Sequence, residues 1–203
     1  MARSHFDLVA RFYDRLLPYS GPEPLLRLLA VRDGHRVLDV GGGTGRVIGT
    51  FGCQCLLVVL DASWAMAREA TAKELPACVG WAETLPFADE TFDRLVMVDV
   101  FHHLDDQATA AREVVRVLAP GGIAVIEEPD IRLRPVKAIA LAERLLLMRS
   151  RFYSVADMVA IFRRAGADTV ERREDPPNVR LVIRRGGGTQ GGSASPSSAG
   201  PAS

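Results

Sequence analysis

The chain has 203 residues, a length that favours a single domain, and 48% of them are hydrophobic, enough to form a buried core. Lys plus Arg and Asp plus Glu each number 25, so the formal net charge is zero and excludes a global field that would attract nucleic acid. The first residues are amphipathic, without the apolar segment of a signal peptide. No apolar run approaches the ~18–20 residues that would span a bilayer. We therefore expect a cytoplasmic protein without an integral membrane segment.

Charged and sulfur-containing side chains are unevenly placed. Residues 83–130 carry 11 acidic and 3 basic side chains, a net charge of −8, whereas residues 132–185 carry 13 basic and 6 acidic ones, a net charge of +7. The three cysteines, Cys53, Cys55 and Cys78, lack the spacing of a zinc site. Free thiols in a reducing compartment and no bound metal are expected.

The predicted elements begin with helical residues over 1–30, an N-terminal helical cap interrupted by Pro18. Strands and helices then alternate along the chain. Strands are predicted at 36–40, 56–60, 77–79, 92–98 and 123–127, and helices at 46–51, 63–73 and 106–118. The apolar run 56–60 is typical of a strand that is buried on both faces. This alternation predicts an α/β fold with a doubly wound parallel sheet.

After Pro129 the alternation lapses. Residues 130–154 are predicted to form a helical lid, and a further helix is predicted at 155–165. Two final strands follow at 168–172 and 179–184. The residues from 186 to 203 are rich in glycine, serine and proline and cannot bury apolar surface, so a disordered tail is predicted there.

The most informative stretch is residues 37–45, Val-Leu-Asp-Val-Gly-Gly-Gly-Thr-Gly. A strand carrying Asp39 runs into a turn with glycines at 41, 43 and 45, where the backbone can approach a ligand closely. A dinucleotide-binding turn of the form G-x-G-x-x-G would need glycine at the position of Arg46. The spacing therefore predicts a nucleoside without a bound pyrophosphate, or alternatively a structural turn with no ligand.

Asp61 ends the second predicted strand, 16 residues after Gly45. Ligands of doubly wound sheets lie beyond the carboxyl ends of the strands, and an acid there can accept hydrogen bonds from both ribose hydroxyls. The alternative role is an N-cap of the following helix, because Asp61-Ala62-Ser63 offers a capping side chain at either end. The glycine turn upstream favours ribose binding.

Residues 37–45 resemble the first motif of class I S-adenosylmethionine-dependent methyltransferases. Residues 80–93, which contain Gly-Trp-Ala-Glu followed by Leu-Pro-Phe and Asp93, resemble a segment of the ubiquinone/menaquinone-biosynthesis type. Asp61-Ala62-Ser63, the Pro-Gly-Gly turn at 120–122 and the Phe-Asp and Tyr-Asp pairs at 6–7 and 13–14 also fit, so the resemblance spans residues 6–184.

The resemblance implies a seven-stranded Rossmann-like sheet with a helical lid after strand five. It implies S-adenosylmethionine as methyl donor and a small, apolar or aromatic molecule as methyl acceptor, with no nucleic-acid partner. Oligomeric state is not specified. The cofactor-binding residues implied are Tyr13, Asp39, Gly41, Gly43, Gly45, Asp61, Ala62, Trp81, Ala82, Glu83 and Asp99.

Two positions depart from the family pattern. Trp81 replaces an acid that meets adenine, so the hydrogen bond to the adenine amino group is lost or moves to Glu83. The Trp81 ring either covers the purine or packs under the sheet edge. Gly42 replaces a common cysteine of the turn, a change that we expect to be harmless.

His102 and His103 follow the fourth strand and are the candidate catalytic residues. Methyl transfer needs mostly approach geometry and a group that removes the acceptor's proton, and an imidazole suits that role near neutral pH. His102 is the first candidate because similar O-methyltransferases carry a histidine base there, and His103 is the second. The alternative for either ring is to orient a loop.

The acids Glu127, Glu128 and Asp130 follow strand five, where we expect them to border the acceptor pocket. They either bind a cationic or hydroxylated substrate or balance Arg132 and Arg134. Two other functions remain to be distinguished. One is a catalytically silent S-adenosylmethionine-binding module that acts through a protein partner and its basic helical half. The other is a nicotinamide oxidoreductase, which Arg46 and the lack of a Tyr-x-x-x-Lys pair argue against.

Overall fold

The computed structural model describes residues 21–130, 153–176 and 178–187. Seven strands form one sheet in the order β3-β2-β1-β4-β5-β7-β6. The first five strands are mutually parallel, and β7 runs antiparallel to both β5 and β6. The strands are β1 Arg36–Val40, β2 Leu56–Asp61, β3 Ala77–Val79, β4 Phe92–Val98, β5 Leu118–Pro129, β6 Thr169–Asp175 and β7 Asn178–Arg184. The predicted seven-stranded α/β architecture is confirmed.

Four α-helices accompany the sheet in the described residues: α1 Glu23–Leu29, α2 Trp64–Ala72, α3 Gln107–Val117 and α4 Val155–Arg164. The last three begin at side-chain caps. Ser63 caps α2 by accepting a hydrogen bond from the Met66 amide, and Asp106 and Ser154 do the same for α3 and α4. Ser63 therefore takes the capping role that was the alternative for Asp61.

The core lies in two layers, one on each face of the sheet. Adjacent residues of β1 point to opposite faces, so Leu38 packs in the layer under α3 and α4 while Val37 packs in the layer under α1 and α2. This arrangement confirms helices on both faces. The second strand is less buried than predicted: Val59 and Leu60 are buried, but Leu56 is 52% exposed because β2 lies only one strand from the sheet edge.

Two local predictions are wrong. Residues 46–51 form only a 3₁₀ turn, Ile48–Thr50, rather than a helix, because Gly49 and the left-handed Gly52 interrupt a stretch of β-branched residues. The Pro-Gly-Gly turn at 120–122 does not precede β5 but lies inside it as an irregularity in the pairing with β4. The Gly121 amide there donates to the Arg185 carbonyl at 3.0 Å.

The cysteines differ from the expectation of three free thiols. Cys53 and Cys55 form a disulfide, with their Cα atoms 5.3 Å apart, because the loop before β2 turns back on itself. Cys78 is free, and burial raises the pKa of its thiol. Within the described ranges, no group of His, Cys, Asp or Glu side chains could hold a metal ion.

Several predictions concern parts of the chain outside the described residues. They are the helical cap over 1–20 with Tyr13, most of the lid at 131–152, and the tail from 188 to 203. Among the helices that are described, none has the length and hydropathy needed to cross a membrane. The cytoplasmic location stays a prediction.

Candidate functional site

A cavity of about 310 Å³ opens at the carboxyl ends of β1, β2 and β4. It lies where a parallel sheet is expected to bind its ligand. Its walls contain nearly all the predicted cofactor residues that the structure describes, namely Asp39, Gly41, Gly43, Asp61, Ala62, Trp81, Ala82, Glu83 and Asp99. Gly45 is the exception and lies behind the turn.

The three alternating glycines of the turn serve different purposes. All have positive φ, at 70° for Gly41, 57° for Gly43 and 72° for Gly45. A Cβ on Gly41 would lie 2.6 Å from the Val100 methyl groups, and one on Gly45 would collide with Leu75. A Cβ on Gly43 would meet only the Met66 sulfur, at 3.7 Å, in the cavity wall. Gly41 and Gly45 are thus required by packing, whereas Gly43 keeps the cavity open.

Asp61 connects the end of β2 to this turn. Its Oδ2 accepts a hydrogen bond from the Gly43 amide at 2.9 Å, and its Oδ1 accepts one from the Ser63 amide at 2.8 Å. These two bonds fix the orientation of the carboxylate in the cavity wall. A carboxylate oxygen accepts more than one hydrogen bond, so both oxygens retain capacity for ligand hydroxyls.

Asp39 is a buried acid below the same turn, with 1% of its surface exposed. Burial, and then the charge of Asp61, raise its pKa to about 7, against the opposing effect of Arg46. Its Oδ2 has no hydrogen-bond partner among the described residues. A buried carboxylate oxygen without a donor is costly when it is ionised, which agrees with the raised pKa of this carboxyl.

Gly42 makes room for that carboxylate. A Cβ at this position would lie 2.5 Å from the Asp39 Oδ2 atom, closer than real Cβ contacts allow. Glycine in place of the family's cysteine is therefore compatible with the position of Asp39, as expected, and the side chain of Asp39 occupies the space that a cysteine would need.

Trp81 stands at the cavity mouth and is 60% exposed. It does not pack under the sheet edge, so that alternative is wrong. The short turn that carries it is closed by the hydrogen bond from the Thr84 amide to the Trp81 carbonyl, at 3.1 Å. Coverage of a purine by this ring stays a prediction.

Glu83 and Ala82 complete the same wall. The Glu83 Oε1 atom accepts hydrogen bonds from the Asp105 and Asp106 amides at 3.1 and 3.3 Å, which joins the segment after β3 to the segment before α3. Ala82 is buried and contributes to the core as well as to the cavity. Glu83 therefore has a structural role beside the predicted contact with adenine.

Asp99 follows β4 and faces the cavity from the opposite side. It is not a glycine, yet its φ is 57°, a conformation that must be stabilised by its surroundings. Burial, followed by the charges of Glu128 and Glu127, raises its pKa to about 6. Arg46 forms an ion pair with it at 3.8 Å and opposes that shift.

The two histidines after β4 occupy different environments. His103 lines the cavity beside Asp99 and Leu104. His102 is only 4% exposed, and its Nδ1 lies 2.5 Å from the Glu128 Oε2 atom, which directs the ring into the protein. His103, the second candidate, therefore lines the cavity, whereas His102, the first, does not, and the role of either ring as the base stays a prediction.

The acids at the end of β5 do not line the cavity. Glu127 pairs with Arg180 of β7 and also accepts a hydrogen bond from Asn178 at 3.2 Å. Glu128 bonds to the segment after β4. The prediction that Glu127 and Glu128 border the acceptor pocket therefore differs from the structure, in which neither side chain lines the cavity. The alternative, that these acids balance Arg132 and Arg134, concerns arginines outside the described residues. No sequence pattern indicated Arg180 or the contact of Glu128 with His102.

Comparisons with known proteins agree with this geometry. Residues 38–126 match a family model described as a methyltransferase domain. A demethylmenaquinone methyltransferase of Corynebacterium kroppenstedtii is 30% identical over 149 residues, covering 70% of this chain and 65% of the relative. The chain thus spans slightly less than two thirds of that relative's length.

Solved structures share the fold at lower identity. One such structure is a chain from a Haloferax volcanii complex, which joins the Trm112 methyltransferase activator to a methyltransferase. The TM-score is 0.76 at 20% identity, and the match covers 92% of this chain and 100% of that one. Haemonchus contortus phosphoethanolamine N-methyltransferase 2, solved with S-adenosyl-L-methionine, has a TM-score of 0.73 and 14% identity, covering 89% and 57%.

Proposed function

We propose that this chain is a class I S-adenosylmethionine-dependent methyltransferase, as the match to a methyltransferase domain and the similarity to a demethylmenaquinone methyltransferase support, and that it transfers a methyl group from S-adenosylmethionine to a small apolar or aromatic molecule. One observation carries the proposal. The Asp61 carboxylate, oriented by two backbone amides, and the open face of Gly43 lie in the same cavity wall. Together they offer hydroxyl acceptors beside a backbone that a nucleoside can approach.

The charges of the cavity suit the rest of this cofactor. Asp39 and Asp99 lie in its walls with Arg46 between them, so the site favours a ligand that carries positive charge. The buried Asp39 carboxyl adds negative charge beneath the glycine turn, which favours an ammonium group nearby in the cavity. S-adenosylmethionine has an ammonium, a sulfonium and a ribose without phosphates, whereas NAD would bring two negative phosphates to these acids.

The acceptor is proposed to bind next to Val100, His103 and Leu104, which line the cavity on the β4 side. When bound, the cofactor supplies an electrophilic methyl group: the acceptor's electron pair forms the new bond to the methyl carbon while the carbon–sulfur bond breaks and its electrons stay on sulfur. His103 takes the proton that the acceptor loses. The C. kroppenstedtii relative is named for demethylmenaquinone, and its name supports an apolar aromatic substrate here.

Calorimetric titration with S-adenosylhomocysteine, the demethylated product, tests the cofactor assignment. Asp61→Ala should weaken binding at least tenfold, because each buried charge-assisted hydrogen bond to the ribose contributes ~1.5–3 kcal/mol. Asp33→Ala is the matched control, since Asp33 also accepts a backbone hydrogen bond, from Gln54 at 2.9 Å, but in an exposed loop outside the cavity. Unchanged affinity in Asp61→Ala, or tighter binding of NAD, would contradict the proposal.

A catalytically silent module that binds the cofactor and acts through a protein partner is the second candidate function. The exposed Trp81, which stands where the family has an acid, favours it. The H. volcanii complex, in which a methyltransferase is bound to an activator, supports a protein partner but not a loss of catalysis. The two functions differ in product formation. Release of S-adenosylhomocysteine when the protein is incubated with S-adenosylmethionine and a reduced naphthoquinone supports the enzyme. Binding of the cofactor without turnover of any member of a panel of aromatic acceptors supports the module.

A further inference from the structure

We propose that Glu128 is a positioning residue of the acceptor site, which acts through His102 to hold His103 in the cavity wall. The inference rests on the proposed function, because it assigns His103 the removal of the acceptor's proton. It concerns a side chain that does not itself line the cavity.

Glu128 holds three consecutive residues of the segment after β4. Its Oε1 accepts hydrogen bonds from the Val100 amide at 3.1 Å and from the Phe101 amide at 2.8 Å. Its Oε2 lies 2.5 Å from His102 Nδ1. Glu128 is 4% exposed and His102 is likewise 4% exposed, so these bonds are made where water does not compete.

These contacts determine which ring nitrogen of His102 carries hydrogen. An ionised carboxylate only accepts hydrogen bonds, so Nδ1 of His102 must be the donor in this pair. A neutral His102 then carries its proton on Nδ1 and none on Nε2. The assignment follows from donor and acceptor rules, and replacing the carboxylate by an amide should reverse it.

The position of His103 follows from the same contacts. Residues Phe101–His103 form a 3₁₀ turn in which the His103 amide donates to the Val100 carbonyl at 2.9 Å. The His103 ring lies against the His102 ring, with 4.0 Å between the centroids. The ring that faces the acceptor is thus held from behind by a ring that is itself held by Glu128.

The left-handed Asp99 strengthens this interpretation. Its φ of 57° stores strain at the residue where the chain leaves β4, and the segment that follows would relax if it were not held. The Asp99 amide also donates to the Glu127 carbonyl at 3.0 Å, so β5 fixes both sides of the bend.

The test compares Glu128→Gln, His102→Phe and the double variant, with His103→Asn as the reference for loss of the base. A reduced naphthoquinone serves as acceptor probe, and S-adenosylhomocysteine affinity is measured in each protein. Turnover should fall ~10²-fold in both single variants, as expected for a small misplacement, with KM and product affinity unchanged. The double variant should lose no more than either single one, because both changes break the same connection. His103→Asn should lose ~10²–10⁴-fold.

Nitrogen NMR of the histidine rings provides a readout that does not depend on turnover. In Glu128→Gln the amide oxygen is needed to accept the hydrogen bonds from Val100 and Phe101, so the NH2 group faces His102 Nδ1. Because that NH2 group donates, Nδ1 must accept, and the ring proton should move from Nδ1 to Nε2. Glu113→Gln is the matched control: Glu113 also holds a backbone amide, that of Leu85 at 2.8 Å, but away from the histidines, so turnover and the ring signals should match the parent.

Parent-like turnover in a folded Glu128→Gln, or losses that add in the double variant, would overturn the inference. If Glu128→Gln fails to fold, His102→Phe decides, because it keeps a flat ring against His103 and removes the bond to Glu128. If the parent neither binds S-adenosylhomocysteine nor methylates the probe, the proposed function fails. The NMR result then still decides whether Glu128 sets the state of His102.

Discussion

The two sides of the cavity are built differently. On the side of β1 to β3, backbone amides and carboxylates meet around the glycine turn: Asp61 accepts hydrogen bonds from Ser63, 2 residues away, and from Gly43, 18 residues away. On the side of β4 and β5, Glu128 makes contacts across 26 to 28 residues of sequence. The first side is specified by a local motif and leaves space for a ligand, whereas the second depends on tertiary pairs that hold a strained bend in place.

Arg46 connects the two sides electrostatically. It lowers the pKa of Asp39 below the glycine turn and that of Asp99 at the end of β4, in both cases against larger effects of burial. One arginine therefore faces two acids that titrate near neutral pH. Changes on the glycine side should affect ligand binding, and changes on the β4 side should affect turnover.

Gly43→Val should give the largest effect on the glycine side: loss of S-adenosylhomocysteine binding in a protein that still folds. The added side chain enters the cavity, where only Met66 is within 4 Å of the new Cβ. Gly52→Val is a matched control, because its φ of 59° is nearly that of Gly43 at 57° and its Cβ would also meet open space, but outside the cavity. Both variants carry the same backbone strain, measurable by urea unfolding.

The comparison of the two variants separates backbone strain from ligand exclusion. If Gly52→Val and Gly43→Val lose stability equally and only Gly43→Val loses calorimetric binding, the turn is a ligand site. Normal binding in a folded Gly43→Val would make all three glycines structural, and the two sides of the cavity would no longer differ in function.

The glycine side could be predicted well from the sequence because its determinants are local. The strand with Asp39, the glycine spacing and the position of Asp61 were all readable, and the structure brings them together in one cavity. The doubly wound sheet followed from the βα alternation, and its seven strands followed from the family resemblance. Ser63 rather than Asp61 as helix cap was one of two alternatives that the sequence left open.

The β4 side was harder to predict because it is set by partners distant in the chain. Nothing near His102 in the sequence indicates that Glu128 draws its ring inward, so the sequence could not show that His103 lines the cavity and His102 does not. Nothing near Glu127 indicates its pairing with Arg180. The Cys53–Cys55 disulfide was missed because the geometry of a short loop, rather than the spacing of cysteines, brings the two sulfurs together.

The stability of the protein should depend on pH through Asp39. Its pKa is raised from 3.8 to about 7 in the folded protein, so between these values the folded state binds more protons than the unfolded one. The free energy of unfolding should therefore fall as pH rises through this window, by at most about 1.4 kcal/mol per pH unit. Asp39→Asn should remove this contribution and be relatively more stable at pH 8 than at pH 5.

Urea unfolding of the parent and Asp39→Asn at pH 5 and pH 8 measures this dependence. Asp33→Asn, in an exposed loop, should follow the parent at both pH values. An equal pH dependence in Asp39→Asn and the parent would show that Asp39 stays ionised across the window. The glycine side would then be less strained electrostatically than the burial of the Asp39 Oδ2 atom indicates.

Trp81 should give the smallest effect, because the contribution predicted for it is stacking at the cavity mouth rather than a buried hydrogen bond. An aromatic contact contributes ~0.5–1.5 kcal/mol, so Trp81→Ala should weaken S-adenosylhomocysteine binding about two- to tenfold and Trp81→Phe less.

The chain has 2 tryptophans, and the other, Trp64, packs against Arg68 outside the cavity. In Trp64→Phe the remaining fluorescence comes from Trp81, and it should change as the ligand binds. Unchanged emission together with parent affinity in Trp81→Ala would mean that the purine lies elsewhere, and Glu83 would then be the next residue to replace in the same wall.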